Sequence, residues 1–170
     1  EIDLIIRLAK KYKLKVIEDS CMGIGGKVKN KHPGTYGDIG CFSFHPRKAI
    51  TTGEGGMITT NNPHLAEKIK CLINHGAVKT DLQRHRGSKP YLLSDHTEAG
   101  FNYRMTDIQG ALGFSQMKRA QKIVEERIKL AKRYSDALKN VRWLQLPKTE
   151  CDYTHGFQSY PCIYNPDIVF

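Results

Sequence analysis

The residues that could do chemistry are concentrated in one short stretch around Lys48. A short apolar strand at residues 41–44 carries Ser43, and Pro46 then stiffens the turn that leads to the lysine. A glycine-rich bend at residues 53–56 follows and permits close backbone approaches. A lysine placed by such a loop loses hydration, which favours the free amine that attacks a carbonyl. The stretch therefore predicts a site for an anionic cofactor, and the alternative is an ordinary solvated lysine.

A second candidate group is the carboxylate of Asp19, which ends the predicted strand at residues 14–18. Functional groups of open α/β sheets gather beyond the carboxyl ends of the strands, where Asp19 would lie. The residues alone leave open that Asp19 is a turn or helix-capping residue. An acid held against a heteroaromatic nitrogen keeps that nitrogen protonated. A protonated pyridine joined to a lysine amine is the electron sink of pyridoxal phosphate, so Asp19 and Lys48 together indicate that cofactor.

An α/β plan is predicted for the elements that position these groups. A long helical stretch begins at a predicted N-cap, Thr106, and runs to about residue 140. Gly110 and Gly113 near its start indicate close packing or a bend. The other predicted elements are a helix at 2–13, strands at 14–18, 40–45 and 57–60, and a helix at 62–74.

Four sequence motifs resemble one known family. They are residues 16–21 (VIEDSC), residues 37–57 (GDIGCFSFHPRKAITTGEGGM), residues 74–76 (NHG) and residues 100–109 (GFNYRMTDIQ). In this order they are typical of the sugar aminotransferases of the DegT/DnrJ/StrS type, which are fold-type I pyridoxal phosphate enzymes. The 37–57 motif is the most specific of the four.

The resemblance implies a fold and a domain organisation. Residues 1–140 are expected to form part of a three-layer large domain, with a mostly parallel sheet flanked by helices and a long helix leading out of it. Residues 141–170 are expected to be a linker and the beginning of a small C-terminal α/β domain. Members of the family are longer at both ends, so the chain is expected to be a fragment that is inactive alone.

The resemblance also implies roles for individual residues. Lys48 matches the lysine that forms the internal aldimine, and Asp19 matches the aspartate that pairs with the pyridine nitrogen. Ser43 matches a hydroxyl that binds the cofactor phosphate. Asn102 matches an asparagine that reaches the partner's cofactor phosphate across a homodimer interface. Met22 stands where many members carry Gln or His, and its sulfur is expected to pack on the cofactor ring.

The implied activity is transfer of an amino group, from glutamate, to a keto group of a nucleotide-linked sugar in polysaccharide biosynthesis. Dehydratases of the same family carry histidine in place of the lysine, so Lys48 favours transamination. The alternatives are amination of a cyclic keto-polyol, dehydration of a sugar, and a non-catalytic regulatory relative.

The net charge of +10 could indicate nucleic acid or a membrane surface, but most basic residues fall on solvent-facing helix positions mixed with acids. We therefore expect neither partner.

A basic segment at residues 79–89 differs from the other basic residues because it is not placed on a helix face. Its Arg84 and Arg86 are predicted to attract a nucleotide diphosphate, and the alternative is a disordered polar insertion.

The spacing of the cysteines and the length of the apolar stretches bear on whether the protein is disulfide-rich, metal-binding or membrane-spanning. Five scattered cysteines without a CxxC pair predict reduced thiols in a cytoplasmic protein. Cys71 and His75 are four residues apart, but two further ligands at suitable spacing are missing, so no metal site is predicted. No stretch approaches the roughly 18 consecutive apolar residues of a membrane span.

Overall fold

The structure is a computed structural model that describes residues 1–78, 85–88, 91 and 93–168. The chain forms two compact units, one made of Glu1–Thr59 with Asp107–Phe170 and the other of Thr60–Thr106. The domain division predicted near residue 140 stays a prediction.

The first unit is built on a three-stranded sheet with helices before and after it in the chain. Its elements up to residue 59 are α1 (Ile2–Lys11), β1 (Ile17–Asp19), β2 (Lys27–Val28), β3 (Ile39–Ser43) and β4 (Gly56–Thr59). Strand β3 lies in the middle, parallel to β1 and antiparallel to β4. Its parallel register pairs Asp19 with Cys41, which places Asp19 two residues upstream of the level of Ser43. The two polar groups predicted for the site therefore lie at the carboxyl ends of the two parallel strands, at the same end of the sheet.

The part of the first unit that follows residue 106 contains two helices and three short strands. These are α3 (Asp107–Met117), α4 (Ala120–Leu138), β5 (Leu144–Gln145), β6 (Tyr153–Thr154) and β7 (Ile163–Tyr164), followed by a 3₁₀ turn at Pro166–Ile168. Strand β6 pairs antiparallel with β2, and β7 with β5. The pairing of β6 with β2 brings the segment after residue 150 back to the glycine-rich loop that follows β1.

The prediction of one long helix over residues 106–140 is wrong, because α3 and α4 are separated by a break at Lys118 and Arg119. The amide of Lys118 still bonds to the oxygen of Phe114, four residues back, but the amide of Arg119 bonds to Gln116, three residues back. A bond that spans three residues instead of four tightens the turn, as in a 3₁₀ helix, and it ends the hydrogen-bond ladder of α3. The predicted close packing is found at Gly113, where a Cβ would lie 2.9 Å from the Thr52 side chain.

The second unit contains α2 (Pro63–Leu72), which starts one residue later than predicted. The side-chain oxygen of Asn62 caps it by accepting hydrogen bonds from the amides of His64 and Leu65 at 2.9 and 3.2 Å. Pro63 occupies the first helical position, where a missing N–H has no cost.

Buried apolar side chains of the first unit lie under the Lys48 stretch and along α4. Ile50 is completely buried, and Phe44, six residues earlier, is buried as well. Val124 and Ala131 are the buried residues of α4. Among the described residues, no helix is both long enough and apolar enough to cross a membrane.

Candidate active site

A tight turn after β3 positions Lys48. The amide of Lys48 donates to the carbonyl oxygen of His45 at 2.9 Å, so residues 45–48 form a turn with Pro46 at its second position. Proline favours that position because its ring fixes φ near the value that the turn needs. The ring nitrogen Nδ1 of His45 accepts from the amide of Arg47 at 3.2 Å. The turn is therefore set by local sequence.

The loop that contains this turn, residues 44–55, is closed at its base by buried groups. Phe44 donates its amide to Gly55 and accepts at its oxygen from the amide of Thr52, at 2.9 and 3.0 Å. Gly53 has φ 81, in the left-handed region that favours glycine. Ile50 anchors the loop in the core. Lys48 is thus carried by a fixed loop, which we call the Lys48 loop.

A cleft of about 510 Å³ lies beside the Lys48 loop. This volume is within the usual range for a cofactor or small-molecule pocket. The hydroxyl oxygen of Ser43 accepts a hydrogen bond from the amide of His45 at 3.3 Å, so its hydrogen can still be donated to a ligand. Met22, 57% exposed, lies at the same cleft. The lining residues are Met22, Ser43, His45, Arg47, Lys48, Gln158 and Ser159.

Asp19 ends β1 and is exposed to solvent. Hydrogen bonds from the thiol and then the backbone N–H of Cys21 lower the pKa of Asp19, and the positive charge of Lys48 lowers it further. The same carboxylate raises the pKa of the Cys21 thiol. Asp19 therefore stays ionised within electrostatic range of Lys48, although it also makes the turn contact that the sequence left open.

The neighbouring acid, Glu18, has a different role. Its two carboxylate oxygens accept three backbone hydrogen bonds, from Gly34 at 2.7 Å and from Tyr36 and Gly37 at 2.6 Å. We call this arrangement the Glu18 cradle. It holds the chain that enters β3, and so it helps to set the register of β3 beside β1.

Sequence reasoning missed the part of the cleft contributed by residues after β6. The side chain of Gln158 bonds to Arg47 and Ala49, which precede and follow Lys48, and Ser159 also lines the cleft. More than a hundred positions separate Gln158 from these partners, so no local pattern indicates the contact. Arg47, which sequence reasoning treated only as part of a motif, lines the cleft as well.

Asn102 lies in the second unit, in a short backbone ladder. The amides of Phe101 and Tyr103 donate to Leu72 and Ile73 at 2.7 and 2.9 Å, and Asn102 pairs with Asn74. The rings of Phe101 and Tyr103 stack at 5.0 Å. The Asn102 side chain is exposed.

A partly buried hydrogen bond between side chains supports the ladder that carries Asn102. Asn74 is buried, and its side-chain oxygen accepts from the guanidinium of Arg104. The exposed side chain of Asn102 is therefore presented by an ordered backbone.

Two other sequence predictions concern the basic segment and metals. Most of the segment at 79–89, including Arg84, lies outside the described residues, and Arg86 is exposed. Within the described ranges, no group of three or more His, Cys, Asp or Glu side chains could hold a metal ion.

Comparison with known proteins identifies the class first through the fold. A solved structure of the Helicobacter pylori aminotransferase PseC, involved in the biosynthesis of pseudoaminic acid, matches 99% of this chain and 43% of its own, with TM-score 0.88 and 30% identity. The Escherichia coli GDP-4-keto-6-deoxy-D-mannose-3-dehydratase, solved with bound hydrated PLP, matches 98% of this chain and 44% of its own, with TM-score 0.81 and 25% identity. The α/β fold is that of pyridoxal phosphate-dependent aminotransferases.

The sequence comparisons then define the family. A transaminase from Campylobacter jejuni (strain 81-176) for UDP-4-amino-4,6-dideoxy-N-acetyl-beta-L-altrosamine is 36% identical over 168 residues, 98% of this chain and 42% of that protein. The profile of the DegT/DnrJ/EryC1/StrS aminotransferase family matches residues 1–167. The chain belongs to this family, which confirms the resemblance that its motifs predicted. It spans about 42% of the length of that relative.

Proposed function

We propose that a protein carrying this chain is a pyridoxal phosphate-dependent aminotransferase that acts on a keto group of a nucleotide-linked sugar. The observation that carries the proposal is the single cleft onto which Lys48, Ser43 and Met22 open, with ionised Asp19 within electrostatic range of the lysine. The Campylobacter relative, named as a transaminase of a UDP-linked amino sugar, supports the substrate class.

The residues of the cleft fit pyridoxal phosphate chemically. The cofactor has an aldehyde, a basic ring nitrogen and a phosphate, which require an amine, an anion and hydrogen-bond donors. In the cleft, Lys48 supplies the amine and Ser43 a hydroxyl donor. Asp19 is not one of the lining residues, but it lies within electrostatic range of Lys48 and supplies the anion. His45 and Arg47 add polar groups at the same cleft. When bound, the cofactor supplies an electron sink that stabilises negative charge at the substrate carbon.

Four residues of the site then have defined roles. With the cofactor bound, Ser43 would hold its phosphate through the hydroxyl hydrogen, and Met22 would supply an apolar contact. Asp19, whose pKa is lowered by its Cys21 hydrogen bonds, stays anionic and would favour a protonated ring nitrogen. Lys48 Nζ moves the proton to and from the substrate carbon as a general base and acid.

The donor and the assembly are parts of the same proposal. We propose glutamate as amino donor, a cytoplasmic homodimer, and Asn102 as the residue that binds the partner's cofactor phosphate. The exposed side chain of Asn102, on an ordered backbone ladder, supports that role. The basic residues of the 79–89 segment would attract the nucleotide diphosphate of the substrate.

The test uses a polypeptide of the relatives' full length that carries this chain, purified with pyridoxal phosphate. We expect visible cofactor absorbance that Lys48→Ala abolishes and that glutamate converts to the absorbance of the aminated cofactor. Lys132→Ala, at an exposed position of α4, is the matched control and should change neither signal. Lys48→Ala should lower kcat by about 10⁴-fold or more. Absorbance that is unchanged in Lys48→Ala contradicts the proposal, and consumption of a keto sugar without formation of an amino sugar favours dehydration.

A further inference from the structure

The side-chain amide of Gln158 bridges the two peptide groups that flank Lys48. Its Oε1 accepts a hydrogen bond from the backbone N–H of Ala49 at 2.8 Å, and its Nε2 donates one to the carbonyl oxygen of Arg47 at 2.6 Å. A backbone N–H can only donate and a carbonyl can only accept, so the bridge requires a donor and an acceptor on one side chain. The carboxamide of glutamine has both.

This bridge restricts the backbone of Lys48 itself. The peptide planes before and after a residue define its φ and ψ, and Gln158 holds a group from each plane. The amide of Lys48 is held separately by the carbonyl of His45. The bond to Ala49 is partly buried, so water competes less well for it, whereas the bond to Arg47 is exposed. With φ and ψ fixed, the direction in which the lysine side chain leaves the backbone is fixed as well.

Gln158 is in turn held by the rest of the first unit. The guanidinium Nη1 of Arg127, on α4, donates to the carbonyl oxygens of Phe157 and Gln158 at 3.2 and 3.4 Å. Phe157 has φ 46, a left-handed conformation that is uncommon for a residue other than glycine. Gly156 is buried, and a Cβ there would lie 2.4 Å from the carbonyl oxygen of Ile24. The segment therefore fits closely against the loop after β1.

We propose that Gln158 is a positioning residue that aims Lys48 for proton transfer. This inference rests on the proposed function of Lys48. Misplacement of a reacting group by about 1 Å can cost about 100-fold in rate, so loss of the bridge should affect kcat far more than substrate binding. Gln158 would act through the backbone of Lys48 and need not touch the substrate.

The experiment compares Gln158→Met with the wild type and with Gln121→Met in the full-length polypeptide. Methionine has nearly the same length as glutamine but cannot form the bridge. The control also removes a glutamine hydrogen bond, from Gln121 Nε2 to Glu125 on the exposed face of α4. Three readouts are compared: amide hydrogen exchange of Ala49 without cofactor, the pH dependence of the visible cofactor absorbance, and kcat and KM.

We expect Gln158→Met to accelerate exchange at Ala49 by about tenfold. It should also shift the midpoint of the absorbance titration and lower kcat by about 10- to 100-fold, with KM within about twofold of the wild type. Gln121→Met should match the wild type in all three. Unchanged kcat and unchanged titration in a folded Gln158→Met protein would overturn the proposal.

A second variant keeps the inference testable if Gln158→Met does not fold. Gln158→Glu keeps an acceptor for Ala49 but sets a carboxylate oxygen against the Arg47 carbonyl. We expect protected Ala49 exchange with a lowered kcat, and wild-type kcat overturns the proposal. A different result refutes the proposed function: a wild-type protein without Lys48-dependent absorbance. The positioning role then fails too, because it rests on that function. Amide exchange at Ala49 still shows whether the Gln158 bridge forms.

Discussion

The two loops at opposite ends of β3 use their polar groups in opposite ways. Before β3, the Glu18 cradle satisfies both carboxylate oxygens with three backbone N–H groups of the same chain. After β3, the Lys48 loop satisfies its backbone partly within the loop and partly through Gln158, but it opens the lysine side chain onto a cleft. Among the described residues, Lys48 forms no salt bridge. The first loop therefore uses its carboxylate for the fold, and the second leaves the amine of Lys48 for a ligand.

The adjacent acids Glu18 and Asp19 show the same contrast within two residues of β1. Side chains alternate between the two faces of a strand, so neighbours point in different directions. Glu18 is directed to the loop that enters β3, whereas Asp19 is exposed beside Cys21 at the end of the sheet that carries the cleft. The two acids carry the same charge but have different roles, because their side chains point in different directions. Substitution of each acid should separate a loss of activity from a loss of stability.

Among substitutions of the acids, the largest effect is expected for Asp19→Asn. An amide cannot hold a proton on the ring nitrogen by charge, so kcat should fall by about 10²- to 10⁴-fold. The amide oxygen can still accept the hydrogen bond from the Cys21 amide, so the free energy of unfolding should change by less than about 0.5 kcal/mol. Steady-state kinetics and urea unfolding measure the two quantities. A stability loss as large as that of Glu18→Gln would show that Asp19 belongs to the fold and not to the site.

A smaller effect, on stability instead of activity, is expected for Glu18→Gln. Glutamine offers one oxygen and places an NH₂ group against backbone donors, so the free energy of unfolding should fall by about 2–4 kcal/mol. Urea titration should show a lower midpoint with an unchanged slope. Glu125→Gln, on the exposed face of α4, is the control and should change stability by less than about 0.5 kcal/mol. A wild-type midpoint for Glu18→Gln would mean that the cradle does not stabilise the fold.

The smallest effect is expected at Asp38, which follows the cradle in the chain. A hydrogen bond from Lys15 and then one from the Val16 amide lower the pKa of Asp38 below its ordinary value. A lowered folded-state pKa gives stability that is present above the unfolded-state pKa and is lost as pH falls through the folded value. Asp38→Asn should therefore weaken the acid dependence of the urea midpoint below about pH 5, where aspartate carboxylates begin to take up protons. An unchanged pH dependence would contradict this assignment.

The parts of the site that depend on local chemistry could be predicted from the sequence. Pro46 and the glycines around the Lys48 loop have conformational preferences that operate within a few residues, and the turn at 45–48 follows from them. The N-cap at Asn62 is of the same kind. The long helix was predicted wrongly because Lys118 and Arg119 are good helix formers. The break at those residues comes from a shift in hydrogen bonding that side-chain preference does not encode.

The sequence by itself determined the family, the turn that carries Lys48, and the acid that ends β1. Only the tertiary structure decided that Glu18 holds the chain that enters β3, and that Gln158 bridges the backbone on both sides of Lys48. The physical reason is that a strand's register and the pairing of β6 with β2 are set by packing between segments far apart in the chain. Residue type and spacing specify a local conformation, whereas such distant contacts depend on the folded whole.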